Sequence, residues 1–339
     1  MKNSPKVAVV ILNWNGRKYL EQFLPSVLAS SYPNLEIIIG DNASTDDSVS
    51  FLKANYPQLR IIQNDQNYGF AGGYNRILAQ VDADYFILLN SDVEVTENWI
   101  YPVVQLMQSE SQIAAAQPKI LSYHDKKSFE YAGAAGGLID FLGYPFCRGR
   151  IFDTLEKDLG QYDVAKEVFW ASGAALFIKK TAWIEIGGFD EDFFAHMEEI
   201  DLCWRLKNRG YQIWYCPDAK VYHVGGGTLN ADSPFKTFLN FRNNLWMIQK
   251  NSLPASALFK VIIRFFMDFL SLLKFLFEGK TKNAAAISKA HIDFIRNWKK
   301  NAAKRPANFK KYNSAGVYPK SIVWKYFVRN KRKFTDLTA

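Results

Sequence analysis

Apolar runs of strand length alternate with amphipathic segments of helical length through about the first 120 residues of this 339-residue chain. Strand-like runs cover residues 7–12, 35–40, 60–63, 85–89 and 113–117, and helical periodicity covers residues near 17–30, 47–55, 70–80 and 99–109. This alternation predicts an α/β fold in which a mostly parallel sheet is flanked by helices. Ligands of such sheets bind beyond the carboxyl ends of the strands, where Asn13, Asp41, Asn67 and Asn90 lie.

The periodicity is lost over residues 121–168, where glycines interrupt an aromatic-rich stretch. We interpret this stretch either as an irregular insertion that shapes an acceptor pocket or as a surface excursion with hairpins. Regular patterns return at residues 169–178, and they predict a helix over about 198–209 and short strands at 212–215 and 220–223.

Beyond residue 233 the chain is predicted to be helical, and residues 255–277 are rich in Phe, Leu and Ile. Lys260, Arg264, Asp268 and Lys274 interrupt this apolar segment. Each charge near the middle of a bilayer costs about 2.5 to 3.5 kcal/mol. The segment is therefore predicted to lie at a membrane interface rather than to span the bilayer.

Charge divides the chain into two parts. Residues 1–231 carry 20 Lys and Arg against 28 Asp and Glu, a net charge of −8, whereas residues 232–339 carry 22 against 5, a net charge of +17. We predict a catalytic domain over 1–231 and a basic helical region over 232–339 that contacts an anionic membrane surface or another subunit of a homo-oligomer. The acidic balance of the first part argues against nucleic acid as the main ligand.

Cysteine usage and the amino terminus bear on the compartment. The three cysteines are an odd number and include no Cys-x-x-Cys pair, so neither a disulfide framework nor a zinc site is indicated. The apolar run at residues 7–12 is shorter than the hydrophobic region of a signal peptide. We therefore expect a cytoplasmic location, peripheral on the inner face of the membrane.

Two polar segments follow predicted strands and suit a nucleotide. Asp41 ends the second strand, where a carboxylate can accept the N–H of a pyrimidine ring, and Ser44 or Thr45 can cap the next helix. Asn67 and Gly69 open a glycine-rich loop that leads into a helix, where backbone amides suit a diphosphate or a sugar hydroxyl. Helix capping alone is the alternative for the first segment, and an ordinary glycine-rich turn is the alternative for the second.

The sequence Asn90-Ser91-Asp92 follows an apolar strand. A hard divalent cation prefers carboxylate oxygens, and Mg²⁺ commonly combines one or two of these with substrate phosphates. A solvated turn is the alternative interpretation. Glu94 is a second candidate carboxylate, ranked below Asp92.

Glu198 and Glu199 begin the helix predicted after the aromatic segment 189–194. Acidic residues favour the first turn of a helix, and Asp201 can pair with Arg205 four residues later. Capping does not explain the consecutive glutamates, so one of them is predicted to be a general base. His223 precedes a glycine run, and a lone histidine of this kind is more often structural than a metal ligand.

In these motifs the chain resembles the inverting nucleotide-sugar glycosyltransferases of family two, most closely their bacterial rhamnosyltransferase-like branch. The resemblance runs from about Val7 to Thr228 and includes five motifs in the family order. It implies a glycosyltransferase-A type fold and a nucleotide-sugar donor, with Mg²⁺ or Mn²⁺ as cofactor.

The resemblance also implies roles for individual residues. Asn13, Asn15 and Asp41 would contact the nucleoside, and Asn67, Gly69 and Asn75 would form the donor loop. Asn90-Ser91-Asp92 replaces an Asp-x-Asp metal motif, so that Asp92 would bind the metal directly and Asn90 more weakly. His223 matches a histidine that ligates the metal in some relatives. Glu199 stands where the family has the aspartate that serves as base, with Glu198 as the other candidate.

By analogy, the donor is expected to be dTDP-rhamnose or a UDP-sugar, and the acceptor a polysaccharide or a lipid-linked glycan. Two alternatives remain open. A nucleotidyltransferase would normally carry a glycine-rich, basic loop after the first strand, whereas this chain has Asn13-Trp14-Asn15-Gly16-Arg17 there. The second alternative is a non-enzymatic protein that binds anionic surfaces through its basic region.

Overall fold

The structure is a computed structural model that describes residues 4–225, 233–306 and 314–338. The glycine run after His223 continues beyond the described residues, and the family resemblance ends at about Thr228. Gly226, Gly227 and Thr228 therefore lie outside the described residues. The strands are β1 (Val7–Asn13), β2 (Leu35–Asp41), β3 (Arg60–Gln63), β4 (Tyr85–Asn90), β5 (Val93–Val95), β6 (Ile113–Ser122), β7 (Gly137–Asp140), β8 (Pro145–Cys147), β9 (Arg150–Ile151), β10 (Thr154–Leu155), β11 (Lys166–Val168), β12 (Ala175–Lys179), β13 (Gln212–His223) and β14 (Val317–Tyr318).

The helices are α1 (Arg17–Leu28), α2 (Ser48–Asn55), α3 (Gly69–Leu78), α4 (Ile100–Ser109), α5 (Lys180–Ile186), α6 (Glu198–Asn208), α7 (Pro234–Asn251), α8 (Pro254–Phe277), α9 (Thr281–Arg296), α10 (Trp298–Ala303) and α11 (Thr335–Thr338). The apolar spacing of Leu20, Phe23, Leu24 and Val27 places one face of α1 against the sheet, as amphipathic periodicity predicts. At α7, Ser233 caps the first turn and Pro234 occupies the first helical position, where a missing N–H is harmless.

A nine-stranded sheet forms the centre of the molecule, in the order β11-β13-β6-β12-β4-β1-β2-β3, with β5 paired to β13. The α/β prediction is confirmed, although the sheet is more mixed than expected. Strands β4, β1, β2 and β3 are mutually parallel, whereas β12 runs antiparallel between β4 and β6. Side chains of β4 alternate between two apolar cores, with Phe86 and Leu88 on one face and Ile87 and Leu89 on the other.

The aperiodic stretch forms a second, smaller sheet in the order β10-β9-β8-β7-β14. Strands β7 to β10 are antiparallel neighbours, as the hairpin interpretation predicts, but β14 comes from the far carboxyl-terminal part of the chain and pairs in parallel with β7. Phe146 and Ile151 share an apolar cluster with Ile322 and Tyr326. The basic region therefore packs on the catalytic part, and a domain boundary at residue 231 stays a prediction.

Helix α8 directs two of its charged residues inwards. Arg264 and Asp268 are buried, while large apolar side chains are exposed on the opposite face: Leu258, Phe259, Ile262, Phe266, Phe269, Leu270, Leu276 and Phe277. Asp268 lies 3.1 Å from Nε2 of His291 on α9, and the Arg264 guanidinium lies 3.6 Å from the centre of the Tyr144 ring. No helix in the described ranges combines the length and the hydropathy needed to cross a membrane.

Candidate active site

The carboxyl ends of three parallel strands bring Asn13, Asp41 and Asn90 to one edge of the sheet. Asn13 is in register with Asp41, and Leu12 is in register with Asn90. The Asn13 amide donates hydrogen bonds to Asp41 Oδ1 at 3.1 Å and to Ser44 Oγ at 3.0 Å, and Asp41 Oδ2 accepts from the Ser44 backbone N–H. Asn13 and Asp41 are fully buried, so they also hold the strand ends together; their contact with a nucleoside stays a prediction.

Asn15 orders the loop that follows β2. Its backbone N–H donates to Ser44 Oγ, and its side-chain oxygen accepts from the N–H of Thr45 at 2.7 Å and of Asp46 at 3.3 Å. Ser91 lies in the turn between β4 and β5, and a Cβ at Gly16, next to Asn15, would lie 3.5 Å from its Oγ. The predicted nucleotide contacts Asn13, Asn15, Asp41 and Ser91 thus surround the carboxyl ends of β1, β2 and β4.

The predicted donor loop lies next to the segment that leads into α6. Asn67 Oδ1 accepts from the Gly69 N–H at 2.8 Å, and Gly69 has a φ of 69°. A Cβ at Gly69 would lie 2.5 Å from the Phe194 ring, so both the backbone conformation and the close approach require glycine here. Asn75 is not brought to this edge, because its side-chain amide pairs with the backbone N–H and C=O of Phe189.

Asp92 and His223 come together, although 131 residues separate them in the sequence. Strand β13 pairs with β5, which places His223 Nε2 3.1 Å from Asp92 Oδ1 and 3.5 Å from the Asn90 amide nitrogen. His223 Nδ1 lies 3.1 Å from Oε2 of the buried Glu130. Burial opposes the charged imidazole, but the two carboxylates outweigh it and raise the pKa of His223 to about 10. Burial raises the pKa of Asp92, but the charge and hydrogen bond of His223, together with backbone hydrogen bonds, outweigh it and lower this pKa.

These side chains fit a cation that takes most of its ligands from a substrate. Within residues 4–225, 233–306 and 314–338, no group of three or more His, Cys, Asp or Glu side chains is arranged to hold a metal ion. One carboxylate and one imidazole suit Mn²⁺ or Mg²⁺ when phosphate oxygens and water complete the coordination. The metal would have to displace the proton that a pKa of about 10 leaves on His223 at neutral pH. The other candidate carboxylate, Glu94, is paired with Lys126.

Glu198 and Glu199 begin α6 with carboxylates that are short of partners. In the described part of the chain, neither side-chain Oε2 has a hydrogen-bond partner. Burial raises the pKa of Glu199 to about 7, and burial together with the neighbouring Glu199 raises the pKa of Glu198 well above its ordinary range. A Cβ at Gly173 would lie 3.9 Å from the Glu199 Cβ, and the adjoining Ala174 carbonyl accepts from the Asn90 N–H. Glu199 is thereby near the strand end that precedes Asp92.

Sequence reasoning missed Glu130 and Asn243. Glu130 lies in the aperiodic stretch, and no local spacing connects it to His223, which it meets only through the pairing of β6 with β13. Asn243 lies in the helical region, yet its side chain contacts the segment before Glu198. Neither residue belongs to a local motif, so the tertiary structure was needed to find them.

Residues 8–150 match the family model described as Glycosyl transferase family 2. This part of the chain is similar to the family 2 glycosyltransferases. The N-acetylglucosaminyl-diphospho-decaprenol L-rhamnosyltransferase of Mycobacterium tuberculosis (strain CDC 1551 / Oshkosh) is 28% identical over 233 residues, which are 63% of this chain and 75% of that protein. The resemblance to the rhamnosyltransferase-like branch is confirmed.

Solved structures share the fold of this glycosyltransferase. TarS residues 1–349 from S. aureus in complex with UDP-GlcNAc superpose with a TM-score of 0.57 at 15% identity, over 88% of this chain and 84% of that one. GalNAc-T7 with UDP, GalNAc and Mn²⁺ gives a TM-score of 0.56 at 15% identity, over 74% of this chain. This chain spans 48% of the length of that GalNAc-T7 chain. The glycosyltransferase-A type fold is confirmed by these likenesses.

Proposed function

We propose that this family 2 glycosyltransferase transfers a sugar from a nucleoside diphosphate sugar to a hydroxyl of a saccharide or lipid-linked glycan. The reaction uses a divalent metal and inverts the configuration at the anomeric carbon. The observation that carries the proposal is the proximity of two groups at one sheet edge. The Asp92–His223 pair provides a metal site, and Glu199, with a pKa raised to about 7 by burial, provides a base. A pKa near the working pH suits a general base.

The metal, Mg²⁺ or Mn²⁺, would be held by Asp92 and His223 and would stabilise the negative charge that develops on the diphosphate. Asn13, Asp41 and the loop after Asn67 would bind the nucleotide. The comparison with GalNAc-T7, which was solved with UDP and Mn²⁺, supports both assignments. The similarity to a rhamnosyltransferase of a diphospho-decaprenol acceptor favours dTDP-rhamnose, or otherwise a UDP-sugar, as donor and a lipid-linked glycan as acceptor.

Glu199 would take the proton of the acceptor hydroxyl as its oxygen attacks the anomeric carbon. The new C–O bond forms on the face opposite the diphosphate while the bond to the diphosphate oxygen breaks, so the configuration inverts and the nucleoside diphosphate leaves with the electron pair. Glu198 is less suited to this role, because burial and the neighbouring Glu199 raise its pKa well above the ordinary range and so oppose the ionised form that a base needs.

Substituting each glutamate in turn tests the assignment. We expect Glu199→Gln to lower transfer by a factor of about 10² to 10⁴, the range typical of a lost general base, while donor affinity changes little. Nucleoside diphosphate release from a panel of nucleotide sugars measures transfer and identifies the donor. If Glu198→Gln is inactive and Glu199→Gln is active, Glu198 rather than Glu199 is the base. Normal turnover in both variants contradicts the mechanism.

We also propose that the exposed face of α8 attaches the enzyme to the cytoplasmic face of a membrane. Phe259, Phe266 and Phe269 are 57%, 63% and 51% exposed on this face. The adjoining helix α9 exposes Lys282, Lys289 and Arg296 at spacings of seven residues, which place them on one helix face, with Ile292 between the last two. Apolar burial flanked by cations favours an anionic lipid surface.

A cationic run that is predicted to attract anionic lipid follows α9 in the sequence, and it is partly paired elsewhere: Lys299, Lys300, Lys304, Arg305, Lys310 and Lys311. Lys300 and Lys304 form ion pairs with Asp192, and Arg305 donates to the backbone oxygen of Gln249. Lys310 and Lys311 lie outside the described residues. The electrostatic part of the attraction is therefore assigned to the exposed cations of α9, together with Lys299 of the predicted run.

Vesicles that contain an anionic phospholipid test this attachment. We expect the full chain to sediment with them at low salt, and the combined change Phe266→Ser and Phe269→Ser to release it without altering donor binding. Leu159→Ser removes an 83% exposed apolar side chain from the catalytic part and serves as the matched control. A change in oligomeric state without loss of sedimentation would instead assign this face to a subunit contact.

A further inference from the structure

Three residues that are not glycine adopt positive φ angles just before the proposed base. Phe194, His196 and Met197 have φ angles of 64°, 68° and 70°. The Ala195 N–H donates to the Phe193 carbonyl at 2.7 Å, which closes a tight γ-turn around Phe194. Residues with side chains adopt such conformations at a cost in free energy, and the conformations persist only where surrounding structure holds them.

Helix α7 supplies the groups that hold this strained segment. The Asn243 side-chain NH₂ group lies 2.9 Å from the Phe193 carbonyl, 2.9 Å from that of Ala195 and 2.8 Å from that of His196. Arg242 donates to the carbonyls of Asp192 and Phe193 from the same turn of the helix. Asn243 is fully buried, and its own oxygen accepts from Arg242 Nε.

The strained segment connects the donor loop to the base. The Phe194 carbonyl accepts from the backbone N–H groups of Phe70 and Ala71 in the first turn of α3. At the other end, the Met197 carbonyl accepts from the Asp201 N–H in the first turn of α6, the turn that carries Glu199. The orientation of this turn therefore depends on the backbone of residues 193–197.

Helix α7 is in turn fixed to α6. Lys250 Nζ lies 2.8 Å from Asp201 Oδ2, and the Asn251 amide donates to Asp201 Oδ1 at 2.7 Å. All these groups are buried. The Asn243 amide is thus held on a rigid support, at a position where only a donor satisfies the three carbonyls.

We infer that Asn243 is a positioning residue for the general base: it fixes the strained segment 193–197 and so sets the direction of the Glu199 carboxylate towards the acceptor hydroxyl. The inference rests on the proposed role of Glu199. It makes the first helix of the basic region part of the catalytic apparatus, although Asn243 contacts neither the metal site nor the nucleotide site.

Asn243→Ala removes the donors, and Asn243→Asp replaces them with an acceptor that faces three carbonyl oxygens. We expect kcat per folded enzyme to fall by about 10- to 100-fold in both variants, because small displacements of a catalytic group have effects of this size. The KM for the donor should change by less than about threefold, because binding energy common to the ground and transition states is retained. Asn244→Ala is the matched control: Asn244 is buried on the same helix but donates to Gly143. An equal fall of kcat in this control would overturn the inference.

A double-mutant cycle separates positioning from a purely structural role. In a Glu199→Gln background, Asn243→Ala should cause no further loss of transfer, because the group that it directs is already absent. A further loss equal to that seen in the wild-type background would show that Asn243 acts independently of the base and would overturn the inference. If Glu199→Gln itself retains activity, the proposed function fails rather than the positioning role alone.

Should Asn243→Ala fail to fold, Arg242→Gln tests the same support from a less buried position. It removes the donations to Asp192, to Phe193 and to the Asn243 side-chain oxygen, and it retains the Asn243 amide donors. We expect a smaller fall of kcat, about threefold to tenfold, with donor KM unchanged, and the same loss of effect in the Glu199→Gln background. A normal kcat for Arg242→Gln would contradict the role assigned to segment 193–197.

Discussion

The catalytic sheet and the carboxyl-terminal helices bury charge in different ways. At the sheet edge, Glu198 and Glu199 have buried oxygens without a hydrogen-bond partner among the described residues. In the helices, Lys250, Arg264 and Asp268 are buried with ion-pair partners. Because an unpaired buried charge is costly, unpaired carboxylates indicate chemistry, whereas paired charges indicate that one element is being fixed to another.

The two regions also differ in whether they direct apolar or charged side chains into the protein interior. Strands of the large sheet direct apolar side chains into two cores. Helix α8 instead directs Arg264 and Asp268 inwards and leaves Phe266 and Phe269 outside. Amphipathicity read from sequence therefore locates a two-faced helix but does not determine which face is buried.

Of the substitutions that distinguish the two regions, the one expected to have the largest effect removes the proposed metal ligand Asp92 from the catalytic sheet. Asp92→Ala is expected to lower metal-dependent transfer by about 10² to 10³-fold, because a stabiliser of developing charge is lost, while the fold stays intact. Mn²⁺ affinity measured by calorimetry should fall in parallel. Glu94→Ala, which removes a nearby carboxylate that is paired with Lys126, is the control. Near-normal turnover of Asp92→Ala at saturating Mn²⁺ would exclude Asp92 as an essential ligand.

The buried charges of the helices should affect stability instead. Lys250→Met leaves Asp190 and Asp201 without the ammonium group between them and should lower the free energy of unfolding by about 3 to 5 kcal/mol. Lys300→Ala breaks an ion pair whose lysine is 60% exposed and should cost less than about 1 kcal/mol. Urea denaturation of both variants measures the difference, and equal effects would remove the distinction between the two kinds of pair.

A further effect, which appears only as the pH changes, is the dependence that Glu199 gives to stability. Its pKa rises from 4.5 to about 7 because of burial, so the folded chain retains a proton that the unfolded chain releases between those values. Stability should therefore fall as the pH rises through this window. Glu199→Gln should match the wild type near pH 4 and exceed it by about 2 to 3 kcal/mol near pH 8. A constant difference between the two proteins across this range would contradict the pKa.

Local patterns in the sequence predicted most of the first half of the fold. Strands β1 to β4 begin where apolar runs predict them, because β1, β4 and the carboxyl half of β2 are buried on both faces. Strand β3 lies at the edge of the sheet and buries only Ile62. Strand β6 was predicted to stop at residue 117 but continues to Ser122, because the Lys119 side chain is buried and paired with Asp158 and Asp163. Likewise, β13 is one strand with an irregularity after Cys216 rather than two. Partners distant in sequence allow polar residues where local periodicity excludes them.

The residues of the candidate site also divide into those that local patterns predict and those that only the tertiary structure reveals. Asp41, Asp92 and Glu199 follow strands or begin a helix, so sheet topology alone predicts that they converge. Glu130 and Asn243 reach the site through pairing across long sequence separations, and no spacing rule indicates them. The orientation of Asn75 towards Phe189 was equally beyond prediction, because it depends on the packing of α3 against the turn after α5.

The pairing of β14 with β7 has a consequence for synthesis of the chain. The Ile139 N–H donates to the Gly316 carbonyl, and a Cβ at Gly316, whose φ is 77°, would lie 2.2 Å from the Phe169 backbone nitrogen. The smaller sheet therefore cannot be completed until residues 317–318 have left the ribosome, long after β7. Closing so large a loop is slow. Until then β7 presents an open edge that another nascent chain can pair with. A ribosome stalled before residue 316 should hold a catalytic half that aggregates more readily than the finished protein.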